Sequence, residues 1–188
     1  MIYFISDTHW GHANIIKYCN RPYQSVQEMD AALITNWNAV VKPEDEIYHL
    51  GDFTFYRDPV KVGGILNRLN GKKYFIWGNH DQVFKKNPYL LDNFVWSKDY
   101  YELKTPGNPP IVLMHYPILV WNGGHHGSIM LHGHDHGGVD YLDKPTTRYD
   151  VGVDAEDNNQ FPVSLDKIMK VMSTRKYVPM DQHGKEEM

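Results

Sequence analysis

Cysteine is almost missing from this chain of 188 residues: Cys19 stands alone. An intramolecular disulfide framework is therefore excluded, and a reducing cytoplasm is the expected compartment. Long apolar runs are missing too. No stretch approaches the ~18 consecutive apolar residues of a membrane span. The segment from Met1 to Asp7 lacks the basic region and small-residue cleavage site of a secretory signal. No membrane partner is expected. Positive charge is not in surplus either: 19 Lys and Arg against 23 Asp and Glu leave −4. Bulk electrostatic binding of nucleic acid is thus not expected, and nucleic acid enters only as a conceivable substrate. Internal repeats, low-complexity segments and a Ser or Cys nucleophile motif are absent. What remains is an ordinary globular composition, 41% apolar and 22% charged, long enough for a sizeable core. The expected organisation is one domain over 1–178 and a polar tail over 179–188.

Histidine, by contrast, is plentiful: eleven in all, six of them between His115 and His136. It is the commonest metal ligand, so its neighbours decide what the surplus means. The β-branched and aromatic run over 2–6 predicts a buried strand ending on Asp7-Thr8-His9. Ser25 to Glu28 reads as a capping box that opens a helix to about Val41, with Met29, Leu33, Trp37 and Val40 on one side. A second strand over 46–52 ends on Gly51-Asp52. A helix over 59–69 stops at Asn70-Gly71. A third strand over 73–77 runs into Gly78-Asn79-His80-Asp81. This alternation predicts a parallel-type α/β sheet. A short helix near 82–91 follows. Strands are then expected over 95–105, 111–115, 127–131 and 149–153, and a last helix from Ser164 to about Met172.

Ligand-type residues fall at the carboxyl ends of five predicted strands, where open α/β sheets form their crevices. They are Asp7 with His9, Asp52, Asn79 with His80, His115, and His134 with His136. Mixed imidazole and carboxylate suit zinc, manganese, iron and related ions. Asp7 and His9 are two apart, as are His134 and His136, which on an extended strand end aims each pair one way. Gly51, Gly78 and Gly133 let the backbone turn sharply and approach closely. The donors are too many for one tetrahedral ion and suit two.

In order and identity these blocks resemble the calcineurin-like metallophosphoesterase superfamily. Its pattern is D-x-H, G-D, G-N-H-[DE], a lone H and G-H-x-H, and all five blocks stand in order over 7–136. The resemblance implies an α/β fold, a four-layer α-β-β-α sandwich of two mixed sheets flanked by helices. It implies that Asp7, His9 and His136 hold one divalent metal ion, that Asn79, His115 and His134 hold a second, and that Asp52 bridges both. His80 would ligate neither, but contact the phosphate and protonate the leaving oxygen. Such ions, roughly 3.5–4 Å apart, clamp phosphate oxygens and acidify a shared water, so that a bridging hydroxide attacks phosphorus in line. Set against two carboxylates and one hydroxide, two divalent ions leave the pocket at about +1, which attracts phosphate. Manganese, iron, zinc and nickel all fit this donor set.

The implied enzyme is a metal-dependent phosphoric ester hydrolase, with a phosphodiester preferred as substrate. A phosphomonoesterase acting on a small phosphorylated metabolite or nucleotide is the alternative within the class. A non-catalytic binding scaffold is the alternative outside it. A nonspecific nuclease would need a basic channel, and Lys17, Arg21, Arg57, Lys85 and Lys86 are spread along the chain. One block departs from the protein-phosphatase pattern G-D-x-x-D-R. Phe55 stands where the Asp that orients the catalytic His would be, and Tyr56 where the Arg would be. A serine/threonine protein phosphatase is therefore not expected, and His80 needs another orienting partner. Asn79, His12 and Arg57 are the candidate substrate contacts, with Asn14 a further one. Asp81 is expected to stabilise its turn, and His132 and His49 to be structural. The segment from Trp121 to His126 reads as a substrate-facing rim or a plain surface loop. Cys19 is expected to be packed, for want of a basic partner, and Asp154 to be a turn residue in preference to a carboxylate that supports a ligand.

Overall fold

A computed structural model describes residues 1–155 and 157–179. Apart from Pro179, the expected tail lies outside the described residues. The first half runs β1 (Ile2–Ile5), α1 (Ala13–Tyr18), α2 (Val26–Val40), β2 (Glu46–His49), α3 (Pro59–Leu66) and β3 (Lys72–Ile76) and, apart from α1, follows its predicted rhythm. The capping signals work as chemistry. Ser25 Oγ accepts from Glu28 N at 3.2 Å, and the Glu28 carboxylate accepts from Gln24 N at 2.8 Å. Asp58 caps α3 by accepting from Val60 N at 2.9 Å, with Pro59 in the first turn.

The second half is strand-rich: α4 (Gln82–Lys86), β4 (Ser97–Lys98), β5 (Tyr100–Leu103), β6 (Ile111–Met114), β7 (Ile129–His132), α5 (Asp140–Asp143), β8 (Arg148–Asp150), β9 (Val163–Ser164) and α6 (Leu165–Met172). Two mixed sheets result. One runs β4-β3-β2-β1-β9, parallel except for β9. The other runs β5-β6-β7-β8, parallel except for β5. The expected strand over 95–105 is thereby corrected. It is two short strands, and the chain passes from one sheet to the other between Lys98 and Tyr100. Both sheets accept the same β-branched and aromatic residues, so composition alone could not mark the crossing. The helices α1 and α5 were not foreseen, because neither is long enough to display a period.

Alternation along the strands assigns three apolar layers. Tyr3, Ile5, Ile47 and Phe75 face a core shared with Met29, Leu33 and Trp37 of α2 and Val62 and Leu66 of α3. Their neighbours Phe4, Tyr48 and Ile76 face the other way, into the space between the sheets. There they meet Ile111, Leu113, Ile129 and Leu131, and Ile168 of α6. Val112 and Met130 point outward from the second sheet onto Trp121. Trp121 is therefore a packing residue. Among the described residues no helix is long and apolar enough to cross a membrane. The consequence for function is positional: the parallel strands β1, β2, β3, β6 and β7 all end on the residues singled out above.

Candidate metal centre

Five of the candidate ligands have left-handed backbones: Asp7 (φ 56°), His9 (φ 51°), Asp52 (φ 55°), His134 (φ 77°) and His136 (φ 53°). Asp and His adopt this region more readily than most residues, yet at a cost, and such residues gather at functional sites. This corrects the extended-strand argument for the pairs. β1 and β7 end before Asp7 and His134, and each pair lies on a coiled turn. His134 and His136 serve different groups instead of pointing one way. Close backbone approach makes the turns possible. A Cβ at Gly78 would collide with Asp52 N and Oδ1, and one at Gly133 with Ser6 Oγ and Asp7 Oδ2. Backbone bonds then lace the loops together, Asp7 N to Gly51 O and His9 N to Asp52 O, both at 3.1 Å.

Two groups of donor atoms come together. Asp7, His9 and His136 form one, and Asp52, His115 and His134 the other, with the ligand atoms of each group within 4.8 Å of one another. Asp52 sits between them. Its Oδ1 lies 3.6 Å from His115 Nε2, and its Oδ2 lies 3.7 Å from His9 Nε2. Asn79 Oδ1 is 3.1 Å from His115 Nε2. His115 Nδ1–H donates to Leu50 O at 2.7 Å. Against burial, the Asp52 and Asp7 carboxylates raise the His115 pKa, so a positive charge belongs at Nε2, between the ring and the oxygens of Asn79 and Asp52. A proton supplies that charge, and a cation in its place would be faced by three ligand atoms. On the other side, Asp7 Oδ1 and both ring nitrogens of His9 are buried without a hydrogen-bond partner. Unpaired buried polar atoms are costly and rare. The residues present thus fit divalent cations at both groups.

His9 and Asp52 are held in the form that binds a cation, while Asp7, His115 and His136 are shifted toward their protonated forms. Burial pushes His9 down to about 2, which keeps its imidazole neutral and able to ligate. Burial also works on Asp52, but His115 outweighs it and holds the carboxylate at about 2. Burial raises Asp7. His136 is lifted to about 11 against burial, chiefly by Asp154 and then by Cys19 and Asp7.

Partners beyond the ligands hold each group in place. Asp81 takes three amides: its Oδ2 accepts from Gly78 N at 2.7 Å and Asp52 N at 2.9 Å, and its Oδ1 from Phe53 N at 2.8 Å. It binds the Asp52 loop to the Asn79 loop, a wider task than stabilising its own turn. Sequence reasoning missed a second device. Arg21, 4% exposed, pairs with Asp154 through Nε to Oδ1 at 2.8 Å and Nη2 to Oδ2 at 2.7 Å. The same guanidinium donates to Asp7 O at 2.7 Å and Thr8 O at 2.9 Å. Asp154 Oδ2 in turn accepts from His136 Nδ1–H at 2.7 Å. Asp154 is thus no ordinary turn residue, and Arg21 belongs to no surface channel. Cys19 also has a histidine neighbour, since its sulfur lies within 4.8 Å of ligand atoms of His136 and Asp154.

His80 stands beside Asp52, its Nε2 3.9 Å from Oδ2, with a side chain 44% exposed. Its backbone N donates to Asp52 Oδ1 at 2.8 Å. Its ring lies 4.6 Å from Phe55, which stacks on His12 at 3.7 Å. The aromatic residue standing where protein phosphatases have an Asp therefore packs against His80. Tyr56 is turned away, its hydroxyl donating to Asp30 at 2.8 Å. Arg57 is exposed, as is Asn14. His49 is buried and bonded to Thr8 at 3.0 Å, and His132 is buried against Asp143 at 2.7 Å.

A family model described as calcineurin-like phosphoesterase matches residues 1–167. The chain is 39% identical over 182 residues to the uncharacterised protein MJ1445 of Methanocaldococcus jannaschii, covering 94% of each. It is 26% identical over 159 residues to the Gene 66 protein of Mycobacterium phage L5, covering 71% of this chain and 76% of the phage protein. Among solved structures, the protein of unknown function AQ665 from Aquifex aeolicus aligns with a TM-score of 0.69 at 29% identity, over 91% of this chain and 98% of that one.

Proposed function

The chain belongs to the calcineurin-like phosphoesterase family, and we propose that it is a dinuclear metal-dependent phosphodiesterase. The observation that carries this reading is the Asp52 carboxylate, with one oxygen toward His115 and the other toward His9. Asp7, His9 and His136 would hold one cation, Asn79, His115 and His134 the other, and Asp52 would serve both. Manganese, iron, zinc or nickel would suit these donors. Bound there, a cation pair supplies Lewis acidity and lowers the pKa of water toward neutrality.

The chain's own residues do the rest. Asn79 and His80 face the scissile phosphate from the open side of Asp52, with His12 behind Phe55 and Arg57 at the margin as further contacts. Water attacks phosphorus and loses a proton to solvent, the bond to the leaving oxygen breaks, and His80 passes a proton to that oxygen and takes one back from solvent. One monoester and one alcohol leave. Phe55, itself stacked on His12, packs at a tilt against the His80 ring, in place of a carboxylate hydrogen bond. A diester is favoured because a groove opens beside Asn79 and His80 and leaves room for a second esterified group. Soluble compartments, the cytoplasm among them, suit a chain of this composition.

Bis-nitrophenyl phosphate and nitrophenyl phosphate should be compared after reconstitution with each metal. We expect the diester to be turned over faster. A preference for the monoester would overturn the diesterase reading, and no hydrolysis of either ester with metal bound would overturn the enzyme reading.

A further inference from the structure

The groove beside His80 has a volume of about 440 Å³, within the range of small-ligand sites. Phe55, Arg57, Asn79, His80, Gln82 and Lys86 are on its walls, and no Asp or Glu lines it. It is thus a locally basic channel on a chain of net charge −4. Arg57 and Lys86 are both exposed, and no ion pair involving either is present among the described residues. The neighbouring cation is used differently, because Lys85 on the same short helix lies over the Trp77 ring at 5.5 Å. A pairing with the helix end would account for both lysines alike, but it does not explain why Lys86 borders the groove with Arg57. The Phe55 ring is already engaged by His12 and His80, so the groove offers charge more than a stacking surface.

We propose that this groove is a subsite for a second phosphate, carried on the leaving alcohol of the substrate and held between Arg57 and Lys86. The proposal rests on the phosphodiesterase reading and narrows it to diesters whose departing group is itself phosphorylated. A guanidinium binds phosphate oxygens in a fork, and an ammonium adds a point charge. Because His80 lines the same groove, the group anchored there is the one whose oxygen His80 protonates. Anchoring should therefore raise kcat/KM and make it salt-dependent.

The test uses the metal-loaded full chain and three dinucleotides: thymidylyl-thymidine, the same molecule with a terminal 5′-phosphate, and the same with a terminal 3′-phosphate. One of the two phosphorylated forms carries the extra group on its leaving alcohol. We expect that form to be cleaved at least tenfold more efficiently than the unphosphorylated one, and the ratio to fall toward one in Lys86→Met and in 0.5 M salt. Lys86 is exposed, so the variant should fold, and its circular dichroism can be checked. A ratio near one in the unsubstituted protein, or a ratio unmoved by Lys86→Met, overturns the subsite while hydrolysis of bis-nitrophenyl phosphate leaves the phosphodiesterase reading standing. Loss of turnover on that ester as well would sink both.

Discussion

The Asp7–His9–His136 group and the Asp52–His115–His134 group differ in what holds them still. The first depends on a buried ion pair, Arg21 with Asp154, whose members are 133 residues apart in the chain. That pair reaches the carbonyls of Asp7 and Thr8 on one side and the ring of His136 on the other. The second depends on backbone. Leu50 O fixes His115, and the amides of Gly78, Asp52 and Phe53 converge on Asp81. An imidazole whose far nitrogen donates to a carboxylate is a stronger and better-aimed ligand. The first group thus has the more basic histidine, but one side-chain change can unfasten it. The second is harder to disturb at His115, which a main-chain carbonyl fixes, and its one side-chain anchor is Asp81.

The comparison breaks most completely where the groups meet. Asp52→Asn removes the charge both share, and kcat/KM should fall by roughly 10³-fold or more, with bound metal falling as well. Full turnover with metals bound would show that Asp52 bridges nothing. His80→Gln should lower kcat by roughly 10²- to 10⁴-fold while metal content by plasma emission stays unchanged, which separates proton transfer from ligation. Asp154→Asn tests the asymmetry directly. Titration calorimetry should show roughly 10- to 100-fold weaker binding of one cation only, and equal weakening of both would remove the distinction drawn here. Arg21→Met leaves Asp154 buried without its partner, and urea unfolding should report a loss of about 3–5 kcal/mol. Asp81→Asn turns a donor toward amides that need an acceptor. It should cost about 1–3 kcal/mol and disturb the second group more than the first.

Much of this was readable in the residues. β1, β2 and β3 lie within a residue or two of their expected spans at their starts, and Ser25 caps the helix it was placed before. The ligand-type residues sit at strand ends, as expected, because parallel strands deliver their carboxyl ends to one edge. Three things were not legible. The 95–105 segment crosses between sheets, and nothing in its composition marks the crossing. The ligand turns are left-handed, so the period-two argument does not describe how the pairs are aimed. Arg21 and Asp154 carried no local signal, since each is an ordinary loop residue until the other is brought to it. Cys19 was read without His136 for the same reason.

Residue chemistry and spacing by themselves determined which donors this protein has, the elements that carry them and the family pattern they compose, because caps, strand composition and ligand types act over a few positions. Only the tertiary structure decided that Asp52 faces both groups, that an ion pair of distant loops steadies His136, and that Arg57 and Lys86 border one groove. Those are consequences of strand order within one sheet and of packing two sheets against each other, which bring together atoms that no sequence window contains.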